Sequence, residues 1–249
     1  MLFHSPLFLF LFLPLVLFLY FFTSKYSRSA YEYILVISGL FFYAYWDIYL
    51  SPIIIISIIF NFYFAKLIKN KANEKIKKIV LVFAIIFNIF WLAIFKYTNF
   101  ITQNLNFLFD LNIDPINLPF PLAISFVTFQ TIAHLVDCYN GKIEKNNLIR
   151  YSLFIIFFPQ LIAGPIVRYK NMMSQFCNEK NRNFNYKNFN LGLIVILIGL
   201  FKKICIADNL AILVEYGFEN YENLSFYESW LSSLSFTFQI YFDFSGYID

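Results

Sequence analysis

His134 and Asp137 stand three residues apart, a spacing at which a helix lets a carboxylate orient an imidazole. Such a pair offers acid–base or nucleophilic chemistry. It serves equally as a buried structural contact, the commoner fate of a lone membrane histidine. His4, the other histidine, has no partner in sequence. A second concentration of polar groups lies in the run Gln239 to Tyr247, where polar and aromatic side chains alternate. Gln239, Asp243 and Gly246 fall at i, i+4 and i+7 and share one helical face. A stripe this polar either lines a cavity or joins another helix through buried hydrogen bonds. Other chemistries are missing. There is no HExxH, GxSxG or paired CxxC, and seven glycines leave little room for nucleotide-cradling loops. Cys138, Cys177 and Cys205 lack metal or redox spacing and read as unpaired thiols.

The elements that position these groups are apolar to an unusual degree. The 249 residues are 60% hydrophobic and 14% charged, whereas soluble domains carry roughly 25% charge. Ile79 to Phe95 and Pro6 to Phe22 hold no charge, each near the minimum for crossing a hydrocarbon core about 30 Å thick. The first run has no preceding Lys or Arg and no small-x-small site after it, so it reads as a retained helix rather than a signal peptide. Expected segments are Pro6–Phe22, Tyr33–Leu50, Ile53–Leu67, Ile79–Phe95, Leu118–Cys138, a short Tyr151–Ala163, a long Phe189–Val214 and Trp230–Tyr247. The fold class is all-α: a polytopic transmembrane bundle forming one membrane domain over 1–249, with about seven spans and one re-entrant segment.

Charge sets the expected orientation. Sixteen of the 19 basic residues fall in four stretches: Lys25 and Arg28, Lys66 to Lys78, Lys142 to Arg150, and Arg168 to Lys187. The alternate loops hold Asp110, Asp114, Glu215, Glu219, Glu222 and Glu228 and no Lys or Arg. Basic loops stay cytoplasmic, which places the N-terminus outside. Tyr151–Ala163 has basic loops on both sides and ends in FFPQLIAGP, residues 157–165, whose prolines and glycine break a helix. A segment that dips in and returns satisfies both facts. Its non-helical backbone then needs protein or a water-filled cavity around it. Lys202 and Lys203 interrupt the seventh segment. They read as snorkelling to the interface, with attraction of a negatively charged donor or lipid head group as the alternative.

Five blocks carry a family resemblance. LPFPLAISFVTFQ at 118–130 resembles LPLGISFFTFQ. LVDCY at 135–139 with Gly141 is similar to LVDVYRG. FFPQLIAGPIVR at 157–168 matches its counterpart closely. GLFKK at 199–203 with ADNLA at 207–211, and IYFDFSGY at 240–247, complete the order. The chain resembles the N-terminal portion of the membrane-bound O-acyltransferase (MBOAT) family, in its alginate O-acetyltransferase-like branch. The resemblance implies a ring-like helical bundle with a central tunnel. It implies transfer of an acyl group, usually acetyl, across the bacterial cytoplasmic (inner) membrane to hydroxyls of a cell-surface polysaccharide, alginate-like or peptidoglycan.

It further implies acetyl-CoA or another acyl donor as substrate with no bound cofactor or metal. The implied partners are the lipid bilayer, a polysaccharide acceptor and an extracytoplasmic acetyltransferase or carrier, with no nucleic acid. Carried over as tunnel candidates are Gln160, Gly164, Pro165, Arg168, Asp243 and Ser245. The family's catalytic histidine lies in a later segment resembling GLWHG, and a second histidine lies in a WRRWH-like stretch, both after the FDFSGY block. Neither His4 nor His134 matches them, so no catalytic residue is carried over. Arg168 or amides near Gly164 could supply oxyanion donors, and no residue supplies the general base. The chain accordingly reads as a truncated product that is inactive alone. The other class left open is a non-catalytic scaffold or transporter-like protein serving a partner acetyltransferase.

Overall fold

The computed structural model describes residues 2–27, 30–70, 73–116, 118–143, 147–162, 164 and 167–249. Ala163, Pro165 and Ile166 of the breaker segment, and Arg28, Lys71 and Lys145 of the basic loops, lie outside them. Among the described residues every regular element is helical. A π-turn Phe8–Phe12 leads into α1 (Leu13–Ser24), followed by α2 (Ala30–Trp46), α3 (Ser51–Asn70) and α4 (Glu74–Phe109). Then come α5 (Ile124–Tyr139), α6 (Leu148–Ile156), the single turn α7 (Phe158–Leu161) and α8 (Tyr169–Cys177). The last are α9 (Tyr186–Leu200), a π-turn Phe201–Ala207, α10 (Asp208–Glu219) and α11 (Phe226–Ile248).

The β-branched run Ile53 to Ile56 is a weak helix former in water. Lipid overrides that preference, because every backbone group must there be bonded within its own segment. Helix starts are marked in the sequence. Asn73, Asn147 and Asn185 each accept from an amide of the first turn, and Ser225 and Glu228 form a reciprocal capping box. Among the described residues three helical stretches are long and apolar enough to cross a membrane: Ile48–Asn70, Glu74–Phe109 and Tyr186–Glu219. Two boundaries differ from the sequence expectation. The run Ile79–Phe95 is the middle of a 36-residue helix, about 54 Å long, that continues to Phe109. Along its polar end Thr98 and Asn104 satisfy their side chains on carbonyls four residues back. The helix expected from Leu118 begins only at Ile124. Ala123 before it has φ +57°, a left-handed conformation that disfavours a Cβ, and it stands where the quoted family segment carries glycine.

Two compact units are distinguished: residues 16–183, and residues 1–15 with 184–249. In the larger unit α6 is the core. Tyr151, Leu153, Phe154, Ile155 and Ile156 are at most 1% exposed. The helix packs on α2, where Gly39 lets the backbones meet; a Cβ there would lie 2.1 Å from the Ile156 carbonyl oxygen. Glu32, on α2 and buried, accepts from Nε of Arg150 on α6 at 2.9 Å. Asn61 of α3 and Asn88 of α4 exchange two amide hydrogen bonds, 3.1 and 2.7 Å. Each amide also bonds its own helix, so no buried donor is stranded.

The smaller unit is built on a helical hairpin, α9–π–α10 against α11. Small residues set its close approaches. A Cβ on Gly199 would lie 2.6 Å from the Gly246 oxygen, and one on Gly246 would lie 2.7 Å from the Gly199 oxygen. Gly217 likewise faces Ser232. Such contacts are how apolar helices associate where no hydrophobic drive separates protein from lipid.

Candidate functional site

The breaker segment sits inside the larger unit. α6 rises about 14 Å over nine residues, less than half a hydrocarbon core. It stops at Phe157, where ψ turns to 104°, and α7 begins with Pro159 in its first turn. The Gly164 amide donates to the Gln160 carbonyl at 3.0 Å. A Cβ on Gly164 would meet Gln160 atoms from 2.6 Å, so this glycine is required by close approach. Gln160 and Gly164 are therefore brought together. Arg168 is exposed and precedes α8, with its carbonyl accepting from the amides of Asn171 and Met172 in the first turn of that helix. Pro165 lies outside the described residues.

Beneath this break lies His134. Its ring is 1% exposed and packs on Tyr151 (4.6 Å between centroids), Tyr169 (4.8 Å) and Phe154 (6.0 Å). Nε2 is 3.6 Å from Sγ of Cys138, and Nδ1 has no hydrogen-bond partner. Asp137 turns away, toward Nζ of Lys142 at 3.7 Å. The i, i+3 spacing thus does not become an oriented imidazole. The Tyr151 hydroxyl faces Thr131 without closing a hydrogen bond of good geometry. Burial pushes the Tyr169 phenol up to about 12. His134 is thus enclosed by aromatic side chains, with almost none of its surface exposed.

The charged groups of the smaller unit are arranged differently. Lys202 and Lys203 occupy the π-turn, and both reach α11. Nζ of Lys203 lies 2.8 Å from Asp243 and 3.0 Å from Asp208. Nζ of Lys202 lies 2.9 Å from the Ser245 hydroxyl and also pairs with Asp249. Both tunnel candidates on α11 are thereby tied across the hairpin to successive lysines, and Lys203 also holds Asp208 of its own helix. A π-turn inserts an extra residue into a helix and is frequent at functional positions. The Asp243 and Asp208 side chains keep 51% and 47% of their surface, so one side of the seam is open. Gln239, sharing the face of Asp243, has a buried Oε1 without a hydrogen-bond partner. An ammonium has three donors; each lysine uses two here and retains one N–H toward an acceptor.

Gln160, Gly164 and Arg168 belong to the larger unit and Asp243 and Ser245 to the smaller. The lysines are the part of the seam that sequence reasoning underweighted. Two adjacent cations inside a 34-residue apolar stretch were the available signal. Among the described residues no cluster of His, Cys, Asp and Glu fits a metal ion.

Comparison with known proteins bears on this geometry. A protein of Helicobacter pylori named peptidoglycan O-acetyltransferase is 40% identical over 276 residues, covering 100% of this chain and 52% of that protein. A Pseudomonas aeruginosa protein named "Probable alginate O-acetylase AlgI" is 34% identical over 259 residues, covering 100% of this chain and 48% of that protein. A teichoic acid D-alanyltransferase of Lacticaseibacillus rhamnosus is 31% identical over 55 residues, 22% of this chain and 14% of that protein. The chain spans about half the length of the curated relatives it matches at full coverage. A model described as "MBOAT, membrane-bound O-acyltransferase family" matches residues 120–248, slightly more than half of the chain and including both the breaker segment and the lysine seam. The chain belongs to the membrane-bound O-acyltransferase family.

Proposed function

We propose that this chain forms part of an O-acetyltransferase of the bacterial cytoplasmic membrane that acetylates hydroxyls of peptidoglycan glycan strands. The observation that carries the acceptor is the 40% identity, over the whole chain, to a relative named for peptidoglycan, against 30–34% for those named for alginate. The basic loops support a cytoplasmic side for the donor, which acetyl-CoA fits, and an N-terminus outside. About seven spans and a returning Tyr151–Ala163 segment complete the topology. An extracytoplasmic acetyltransferase or carrier receives or relays the acyl group.

Acetyl transfer to a sugar hydroxyl breaks the donor's acyl bond and forms a new ester. The hydroxyl loses a proton and the carbonyl oxygen gains negative charge on the way. The remaining N–H groups of Lys202 and Lys203 suit that oxygen or the donor's carbonyl. Asp243 and Ser245 hold the lysines in place from α11.

A strain lacking the gene is expected to lose O-acetyl groups from its glycan strands, read as acetate released from purified peptidoglycan by mild base. The wild-type gene restores them. Asp243→Asn restores them about a hundredfold less well, the loss expected when a reacting centre is misplaced. Unchanged acetate in the deletion strain would refute the peptidoglycan reading. Loss from a secreted polyuronate instead would move the acceptor to the alginate type.

A further inference from the structure

The α3–α4 hairpin carries a basic end that the proposed chemistry does not use. Lys66 of α3 and Lys75 and Lys78 of α4 are exposed and have no ion pair among the described residues. Their neighbour Lys77 is different. It pairs with Glu74 at 3.1 Å and lies over the Tyr139 ring of α5, 5.3 Å from its centroid. Three helix ends thus meet here, and the free cations lie on the outside.

Each free lysine continues an apolar stripe. Lys66 follows Tyr63 by three residues and Ile59 by seven, and both are exposed. Lys75 and Lys78 precede Ile79, Val82 and Ile86 at i+4, i+7 and i+8 spacings, and these too are exposed. The surface is therefore cationic at one level and hydrocarbon directly below it, on helices long enough to cross a bilayer. A soluble anion would use the first half only. A phospholipid with an anionic head group uses both, with phosphate at the lysines and acyl chains along the stripes.

We propose that this hairpin end is a binding site for anionic phospholipid. The site stands whether or not the acyl-transfer reading does. Native mass spectrometry of the detergent-purified 249-residue chain tests it, with phosphatidylglycerol, cardiolipin or phosphatidylcholine added at equal concentration. Phosphatidylglycerol and cardiolipin adducts are expected to survive activation in excess over phosphatidylcholine. Each lysine changed to glutamine should weaken retention about fivefold. The Lys66→Gln/Lys75→Gln/Lys78→Gln chain should lose the preference, and the corresponding triple arginine variant should keep it. Equal retention of phosphatidylcholine, or an unchanged preference in a triple glutamine variant with intact helical circular dichroism, overturns the proposal. So does inorganic phosphate raising thermal stability as much as the lipid, since that marks a soluble-anion site.

Discussion

Glu32→Ala is expected to lower the melting midpoint of the purified chain by about 6–12 °C. Glu32 is 4% exposed on α2, and its partner Arg150 opens α6, the buried element that carries the break at Phe157. Removing one partner of a buried ion pair strands the other charge, at about 3–5 kcal/mol. Arg150 keeps 26% of its side-chain surface, which argues for the low end, about 3 kcal/mol. For a chain of this size each kcal/mol moves the midpoint by about 2–4 °C. Glu32→Leu with Arg150→Met should recover most of the loss, because a well-packed apolar pair replaces an ion pair at little cost. Fluorescence-detected size exclusion after heating reads all three proteins. If Glu32→Ala melted with the parent, the ion pair would contribute nothing to holding α6.

Lys203→Met carries the second large effect. It leaves Asp208 and Asp243 facing each other across the π-turn without the cation between them. Both carboxylates are about half exposed, so the stability loss is discounted to about 1 kcal/mol. The functional loss is expected to be greater than the stability loss, since the seam orients Asp243 and presents a donor. O-acetylation of peptidoglycan by a Lys203→Met strain should fall by about a hundredfold, with Lys203→Arg intermediate. Lys203→Met with Asp243→Asn should regain stability and not activity. Full activity in Lys203→Met would remove the seam from the reaction.

Local signals explain what could be foreseen. The asparagine caps, the Ser225–Glu228 box and the breakers Pro159 and Gly164 act within a few residues, and each lies where its chemistry predicts. The shared face of Gln239, Asp243 and Gly246 follows from helical spacing, and α11 spans all three. Register between helices leaves no such mark. Glu32 and Arg150 are 118 residues apart, and the Asn61–Asn88 exchange depends on how α3 meets α4. The π-turn has no periodic signature, so the lysines read as snorkelling cations until α11 was placed beside them. The expected span stopped at Phe95 because the apolar run ends there, at Lys96, Thr98 and Asn99, while the helix itself continues to Phe109. The surroundings of His134 were illegible for a related reason. Three aromatic rings from α6 and α8 decide its environment, and none is near it in sequence.

The most direct test of a water-lined seam on the last helix is thiol labelling at its edge. Cys138, Cys177 and Cys205 are first replaced by serine or alanine, and Ser245→Cys is introduced in native membranes. A charged, membrane-impermeant methanethiosulfonate should modify Cys at this position, because the Asp243 and Asp208 side chains of the seam keep about half their surface open. Reaction only with a lipid-soluble maleimide, and none with the charged reagent from either side, would mean that α11 turns this face to the hydrocarbon and that no aqueous path reaches it.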